Sequence, residues 1–226
     1  NGTEDDITVL THEAGHAFQA YASRDFHFKE YTEPTMETAE IHSMSMEFLT
    51  YPWMNLFFEN DTDKFKFSHL TGTVNFLPYG VLVDDFQHWV YENPNASPSD
   101  RKKKWKELEN IYMPHLNYGE IEFLESGGRW QKQGHIYESP FYYIDYCLAQ
   151  VCAFQFWSKA IHSGNKKGEF DKAMKDYLEL CSKGGSKAFL ELVKEAGLES
   201  PFEENVIKKL AGEIEQYIDS IDDSGL

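Results

Sequence analysis

The stretch Leu10-Thr11-His12-Glu13-Ala14-Gly15-His16-Ala17-Phe18-Gln19-Ala20-Tyr21 constrains this chain more than any other. It reads as a helix carrying His-Glu-x-x-His. Helical positions four apart lie one turn from each other on one face, so His12 and His16 project together. Two imidazoles so placed can share one Zn²⁺. Glu13 is adjacent to the first of them and can reach a water on the same cation, where a carboxylate serves as general base. Ala14, Gly15 and Ala17 are small and let another backbone or a substrate approach that face. The competing reading is an amphipathic helix whose histidines are surface residues. Zinc-compatible residues farther along the chain weigh against it.

Two histidines on one helix need a third protein ligand, usually from a second helix packed beside the first. The extended motif with a third His would need Gly at position 19 and His at position 22, and Gln19 and Ala22 exclude it. The next helix, about Thr35 to Phe58, places Glu37, Glu40, Met44 and Glu47 on one stripe in a stretch otherwise rich in Met, Ile and Phe. Taken alone, that stripe reads as a solvated face; beside the histidines it reads as a ligand source. Glu37 lies 21 positions beyond His16 and Glu40 lies 24 beyond it, and spacing does not choose between them. His42, two positions from Glu40, points away from it on a helix.

Composition bounds the rest. The 226 residues suffice for one substantial domain or two small ones, and 41% hydrophobic with 15% aromatic content can build a large core. A net charge of −17 repels phosphate backbones, so nucleic acid is not an expected partner. No apolar run is long enough to cross a bilayer, so no membrane role is expected. Cys147, Cys152 and Cys181 are odd in number and follow no framework spacing, which suits a reducing cytosol and a cytoplasmic protein. The triplets Asn1-Gly2-Thr3, Asn60-Asp61-Thr62 and Asn95-Ala96-Ser97 match the glycosylation pattern and are read as chance. The chain does not begin with Met and its site helix starts almost at once, so a preceding segment of the same protein is expected.

Along the chain, Thr3 or Asp5 can cap the first helix, which runs to about Arg24. Thr32 or Glu33 is the expected cap of the second, with Pro34 in its first turn and Pro52 dividing it after Tyr51. Asp61 to Phe86 reads as helix, loop and helix, broken near Gly72 and Pro78-Tyr79-Gly80. Ser99 or Asp100 caps a basic helix over Arg101 to Met113, ended by Pro114. Cys147 to His162 is an apolar helix, and amphipathic helices follow over Glu169 to Ser182, Ser186 to Ala196 and Pro201 to about Ile221, the last behind a Ser200-Pro201-Phe202-Glu203 capping box. The domain is therefore mainly α, with at most minor β structure. It is read as one catalytic domain, 1–226, comprising a zinc-site portion (1–162) and a C-terminal helical portion (163–226).

The first motif, followed by Glu37-Thr38-Ala39-Glu40-Ile41-His42-Ser43-Met44-Ser45-Met46-Glu47, resembles the oligoendopeptidase F branch of the thimet-oligopeptidase family of zinc metallopeptidases. His135-Ile136-Tyr137 and Pro140-Phe141-Tyr142-Tyr143-Ile144-Asp145-Tyr146 resemble that branch too, and the likeness runs through Gly184-Gly185-Ser186 into the last helices. It covers only the C-terminal, catalytic part of such enzymes; the helical N-terminal region that walls one side of their substrate channel has no counterpart here. The resemblance implies a helical gluzincin-type fold and a metalloprotease that hydrolyses short peptides with one Zn²⁺. By it, His12, His16 and Glu40 are the metal ligands and Glu13 the general base. Glu47, on the same helix face as Glu40, is the expected acceptor behind a ligand imidazole. His135, Tyr143 and Tyr146 are the expected donors across the cleft, with Tyr137 and Tyr142 behind them; some of these tyrosines are packed core. The alternatives are a helical scaffold module with a structural or vestigial metal, and a fragment inactive without its N-terminal half. A structural zinc site normally closes all four positions with protein ligands, and only three are evident here.

Overall fold

The computed structural model describes residues 2–162 and 168–221, and among them every regular element is helical. The α-helices are α1 (Glu4–Ala22), α2 (Met36–Leu49), α3 (Asn55–Phe58), α4 (Thr62–Glu92), α5 (Pro98–Tyr112), α6 (Glu122–Glu125), α7 (His135–Glu138), α8 (Tyr143–Trp157), α9 (Glu169–Lys183), α10 (Phe189–Glu195) and α11 (Glu204–Asp219). The chain forms two compact units, one of residues 1–71 with 148–226, the other of 72–147, and α4 and α8 each contribute to both. The expected break between residues 162 and 163 adjoins residues 163–167, which lie outside the described part. No described helix is long and apolar enough to cross a membrane. All three cysteines are free and buried.

In the first unit, α2 is the centre. Ile41, Phe48 and Leu49 are fully buried, and so are His42, Ser43 and Ser45, so this helix is enclosed on nearly every side. The helix α1 starts in a capping box, with Thr3 Oγ1 accepting from the Asp6 amide and Asp6 accepting from the Thr3 amide. It crosses α2 at Gly15. A Cβ at that position would stand 2.5 Å from the His42 carbonyl oxygen and 2.7 Å from Ser43 Cα. Only glycine permits this approach.

The link between the two helices is tied down by side chains of α1. Gln19 Nε2 and Ser23 Oγ both donate to the Thr32 carbonyl, at 3.0 and 3.1 Å. Gly185 donates its amide to the Tyr31 carbonyl at 2.9 Å, and a side chain there would overlap the Glu33 carbonyl. On the far side of α2, the Tyr177 hydroxyl of α9 donates to the His42 carbonyl at 2.8 Å, and Phe154 of α8 meets the Phe48 ring at 5.7 Å.

The second unit has its own aromatic core: Tyr79, Leu82, Val83 and Phe86 of α4, Trp105 and Leu108 of α5, then Met113 and Trp130. Within it the carboxylate of Glu109 is almost wholly buried. It accepts from Tyr118 Oη at 2.5 Å and Trp105 Nε1 at 3.3 Å, with Arg129 3.6 Å away, so the charge is paired and hydrogen-bonded as burial demands.

Several local expectations are corrected. α4 is one 31-residue helix that runs through Gly72, Pro78 and Gly80 without a loop. A proline inside a helix costs roughly 3 kcal/mol. The stripe Tyr79, Leu82, Val83, Phe86 keeps helical spacing across that position, and its burial outweighs the penalty. The second helix is capped at Thr35 and ends at Leu49, earlier than Phe58, because the chain turns through a 3₁₀ segment at Tyr51–Trp53 with Pro52 inside it. Helix α5 is capped by Ser97, with Asp100 closing the box and Pro98 in its first turn. The apolar helix starts at Tyr143, four residues before Cys147, and finishes as a π-helical turn over Ser158–His162. The Ser200 box does not form. Ser200 Oγ takes the Phe202 amide two residues on, making a turn, and α11 begins only at Glu204.

Gly15→Ala should destabilise the protein by about 1–2 kcal/mol in chemical denaturation, although alanine is intrinsically the better helix former by about 1 kcal/mol. The atoms it would meet are backbone and cannot rotate away. A midpoint equal to or above wild type would refute the close crossing.

Candidate metal centre

The crossing at Gly15 brings one turn of α1 over the middle of α2. His12, His16 and Glu40 converge there, and one ligand atom from each lies within 4.8 Å of the others. Glu40 Oε2 is 3.3 Å from His12 Nε2 and 3.6 Å from His16 Nε2. The two imidazoles stand edge to face, with centroids 5.0 Å apart. A tetrahedral zinc with bonds near 2.05 Å separates its ligand atoms by about 3.3 Å, so this donor set has the spacing and the nitrogen–oxygen chemistry that such an ion requires. Glu37, the other carboxylate compatible with spacing, is not in the cluster. Neither is His42, which is fully buried on another face of α2.

The surroundings hold these groups still. Ser43 Oγ donates to Glu40 Oε2 at 2.9 Å. His12 Nδ1 meets Glu47 Oε1 at 2.7 Å, which leaves Nε2 to face Glu40. The same Glu47 takes His69 Nε2 of α4 on its second oxygen at 2.7 Å. Burial alone would raise the Glu47 carboxyl; hydrogen bonds from His12 and His69 prevail and hold it below the ordinary glutamate range. Burial likewise disfavours the charged His12 imidazolium, but hydrogen bonds to Glu40 and Glu47, reinforced by their charge, push His12 up to about 9. A cation at its Nε2 therefore competes with a proton. Glu13, next to His12 on α1, is exposed, so its carboxylate is open to water.

The remaining sequence candidates lie in the second unit. His135 opens α7, and Tyr143 and Tyr146 stand in the first turn of α8, with ring centroids 4.8 and 5.8 Å from the imidazole. Tyr142 is 6.0 Å from it. Tyr143 also packs 6.0 Å from Tyr79 in the aromatic core, and burial pushes its phenol up. Tyr137 instead stacks on Trp130 and is exposed. Gln133 bridges Tyr79 and His135: the Tyr79 hydroxyl donates to its Oε1 at 2.8 Å, and its Nε2 lies 2.7 Å from His135 Nδ1. Sequence reasoning missed Gln133, Ser43 and His69. Ser43 stands on the same face of α2 as Glu40 and Glu47 and could have been read from spacing; nothing in the sequence marks the other two.

The sequence pattern of peptidase family M3 matches residues 3–212. The chain belongs to peptidase family M3. An Oligoendopeptidase F homolog from Borreliella burgdorferi is 27% identical to it in an alignment of 203 positions that covers 86% of this chain and 32% of that protein. The solved structure of PZ peptidase A with inhibitor 2 shares 55% identity with this M3 chain and superposes with a TM-score of 0.93, covering 98% of this chain and 38% of its own. A second structure, provisionally named oligoendopeptidase F, shares 55% identity and gives a TM-score of 0.94 over 99% of this chain and 39% of its own. The likeness to oligoendopeptidase F and the mainly helical fold expected from the motifs therefore hold, and the chain spans well under half the length of these relatives.

Burial pushes His42 down to about 4. A base whose folded pKa lies below its unfolded value of about 6.5 stabilises the fold only above the unfolded value, and that contribution disappears as pH falls towards the folded one. With chelator present, wild type should lose thermal stability between pH 6.5 and 4 more steeply than His42→Gln. Equal slopes in thermal melts would show that His42 is not held neutral.

Proposed function

We propose that residues 1–226 form a single catalytic domain of a zinc-dependent endopeptidase that hydrolyses short peptides. The supporting observation is the convergence of His12, His16 and Glu40 at separations that fit the edges of a zinc tetrahedron. Three protein donors leave a fourth position for water or substrate, the pattern of a catalytic site. A Zn²⁺ held by these residues would supply a Lewis acid that acidifies a bound water and polarises the scissile carbonyl.

The protein's own groups do the rest. The exposed Glu13 carboxylate accepts the proton of the attacking water as the new C–O bond forms. It then returns that proton to the departing amine nitrogen as the C–N bond breaks. Glu47 holds the His12 ring in place from behind. His135, Tyr143 and Tyr146 are assigned as hydrogen-bond donors to the peptide by the family resemblance. Gln133 Nε2 donating to His135 Nδ1 would leave the ring proton on Nε2, as that role requires.

Three free, buried cysteines agree with a reducing, cytoplasmic setting. Since the chain spans about a third of the Borreliella relative, full activity is assigned to the whole protein, with a preceding segment of the same polypeptide as its partner.

In the whole protein, Glu13→Gln should retain stoichiometric zinc by metal analysis. It should lower turnover of a quenched peptide by about 10²–10⁴-fold. Wild-type turnover in that variant would remove Glu13 from the chemistry, and a wild-type protein that binds no zinc would remove the metal.

A further inference from the structure

Building on the zinc endopeptidase reading, we propose that His69 and Tyr51 are positioning residues for the metal centre, acting through Glu47 in a buried relay that fixes the orientation and tautomer of His12. Three contacts of equal length connect them. Tyr51 Oη lies 2.7 Å from His69 Nδ1, His69 Nε2 lies 2.7 Å from Glu47 Oε2, and Glu47 Oε1 lies 2.7 Å from His12 Nδ1. The chain begins in the 3₁₀ turn after α2, crosses α4, returns to α2 and ends on α1.

Donor and acceptor bookkeeping orders the protons. An ionised carboxylate only accepts, so both ring nitrogens facing Glu47 carry hydrogens: His12 Nδ1–H and His69 Nε2–H. The Tyr51 hydroxyl has two acceptors in reach, the Lys66 carbonyl at 3.4 Å and His69 Nδ1 at 2.7 Å. In a neutral His69 ring the one hydrogen is the Nε2–H given to Glu47, so Nδ1 accepts and Tyr51 donates to it. Each step leaves the next group one role. At the end of the relay His12 Nε2 faces Glu40 and His16, and once a cation displaces its proton the lone pair is directed at the cluster.

The relay also accounts for a buried charge. The Glu47 side chain is only 8% exposed, and a carboxylate so placed is tolerable only when its oxygens are hydrogen-bonded. His12 supplies one bond and His69 the other. Without His69, one oxygen of Glu47 loses its donor, and the carboxylate can turn away from His12 to recover one. The relay is itself held rigid. His69 is clamped between Phe48, 5.0 Å away, and Phe65, stacked at 5.7 Å, while Tyr51 is 1% exposed. No metal contact is required of His69 or Tyr51.

The test uses the whole protein, with zinc affinity read by competition against a chromogenic chelator and stability read separately by unfolding in excess chelator. His69→Leu should weaken zinc binding by about 10–100-fold, the range seen when a partner behind a metal ligand is removed. Tyr51→Phe, which deletes one hydroxyl and keeps the ring, should shift affinity in the same direction by a smaller factor. The deciding measurement is a double-mutant cycle. Since His69 acts through Glu47, the variant Glu47→Ala, His69→Leu should bind zinc no more weakly than Glu47→Ala alone. Losses that multiply, or unchanged affinity in Tyr51→Phe and His69→Leu, would overturn the relay while leaving the endopeptidase reading intact. If His69→Leu does not fold, Tyr51→Phe decides alone. Failure of wild type to bind zinc would overturn both.

Discussion

The close crossing of α1 over α2 is the constraint on which the candidate centre rests. His12 and His16 share a face by helical spacing alone, but Glu40 reaches them only because Gly15 lets two backbones meet where any side chain would hold them apart. Tight helix packing and ligand geometry are here one requirement. The loop between the helices serves the same end, since Gln19, Ser23 and Gly185 hold residues 31–32 in place and thereby set where α2 starts.

Polar chemistry is the second layer, and it makes α2 unusual. This helix carries Glu40, His42, Ser43, Ser45 and Glu47 into the interior of its unit, among Ile41, Phe48 and Leu49. Buried carboxylates are expensive unless paired. Both have partners: Ser43 donates to Glu40, and His12 and His69 donate to Glu47. A fold that only needed a core would fill these positions with aliphatic residues. Carboxylates held in place beside two imidazoles are what a cation site needs, and membership of peptidase family M3 accords with that arrangement.

Much of this was legible in advance, for identifiable reasons. His-Glu-x-x-His, the second helix with its carboxylate stripe, the capping role of Thr3, the end of α5 at Pro114 and the helical C-terminal third all follow from local rules, and local rules act over a few residues. Where local signals competed with packing, packing won. Pro78 and Gly80 read as breaks, yet α4 continues through them because its apolar stripe buries against Trp105 and Trp130. The Ser200 box was lost to a turn centred on the same hydroxyl.

By itself, the sequence determined the helical class, the face that carries both histidines, and the carboxylates available to them, because each depends on spacing along one helix. Spacing left Glu37 and Glu40 undecided, only the family resemblance pointed to Glu40, and the sequence was silent on His69 and Gln133. Those are matters of which helix lies against which, and of how far apart two backbones stand. They are set by contacts between residues 22 to 54 positions apart, such as Glu47 with His69 and Tyr79 with Gln133, which no local pattern encodes. Tertiary structure shows how Glu40 comes to face the histidines, and it alone revealed the buried tyrosine–histidine pair behind them.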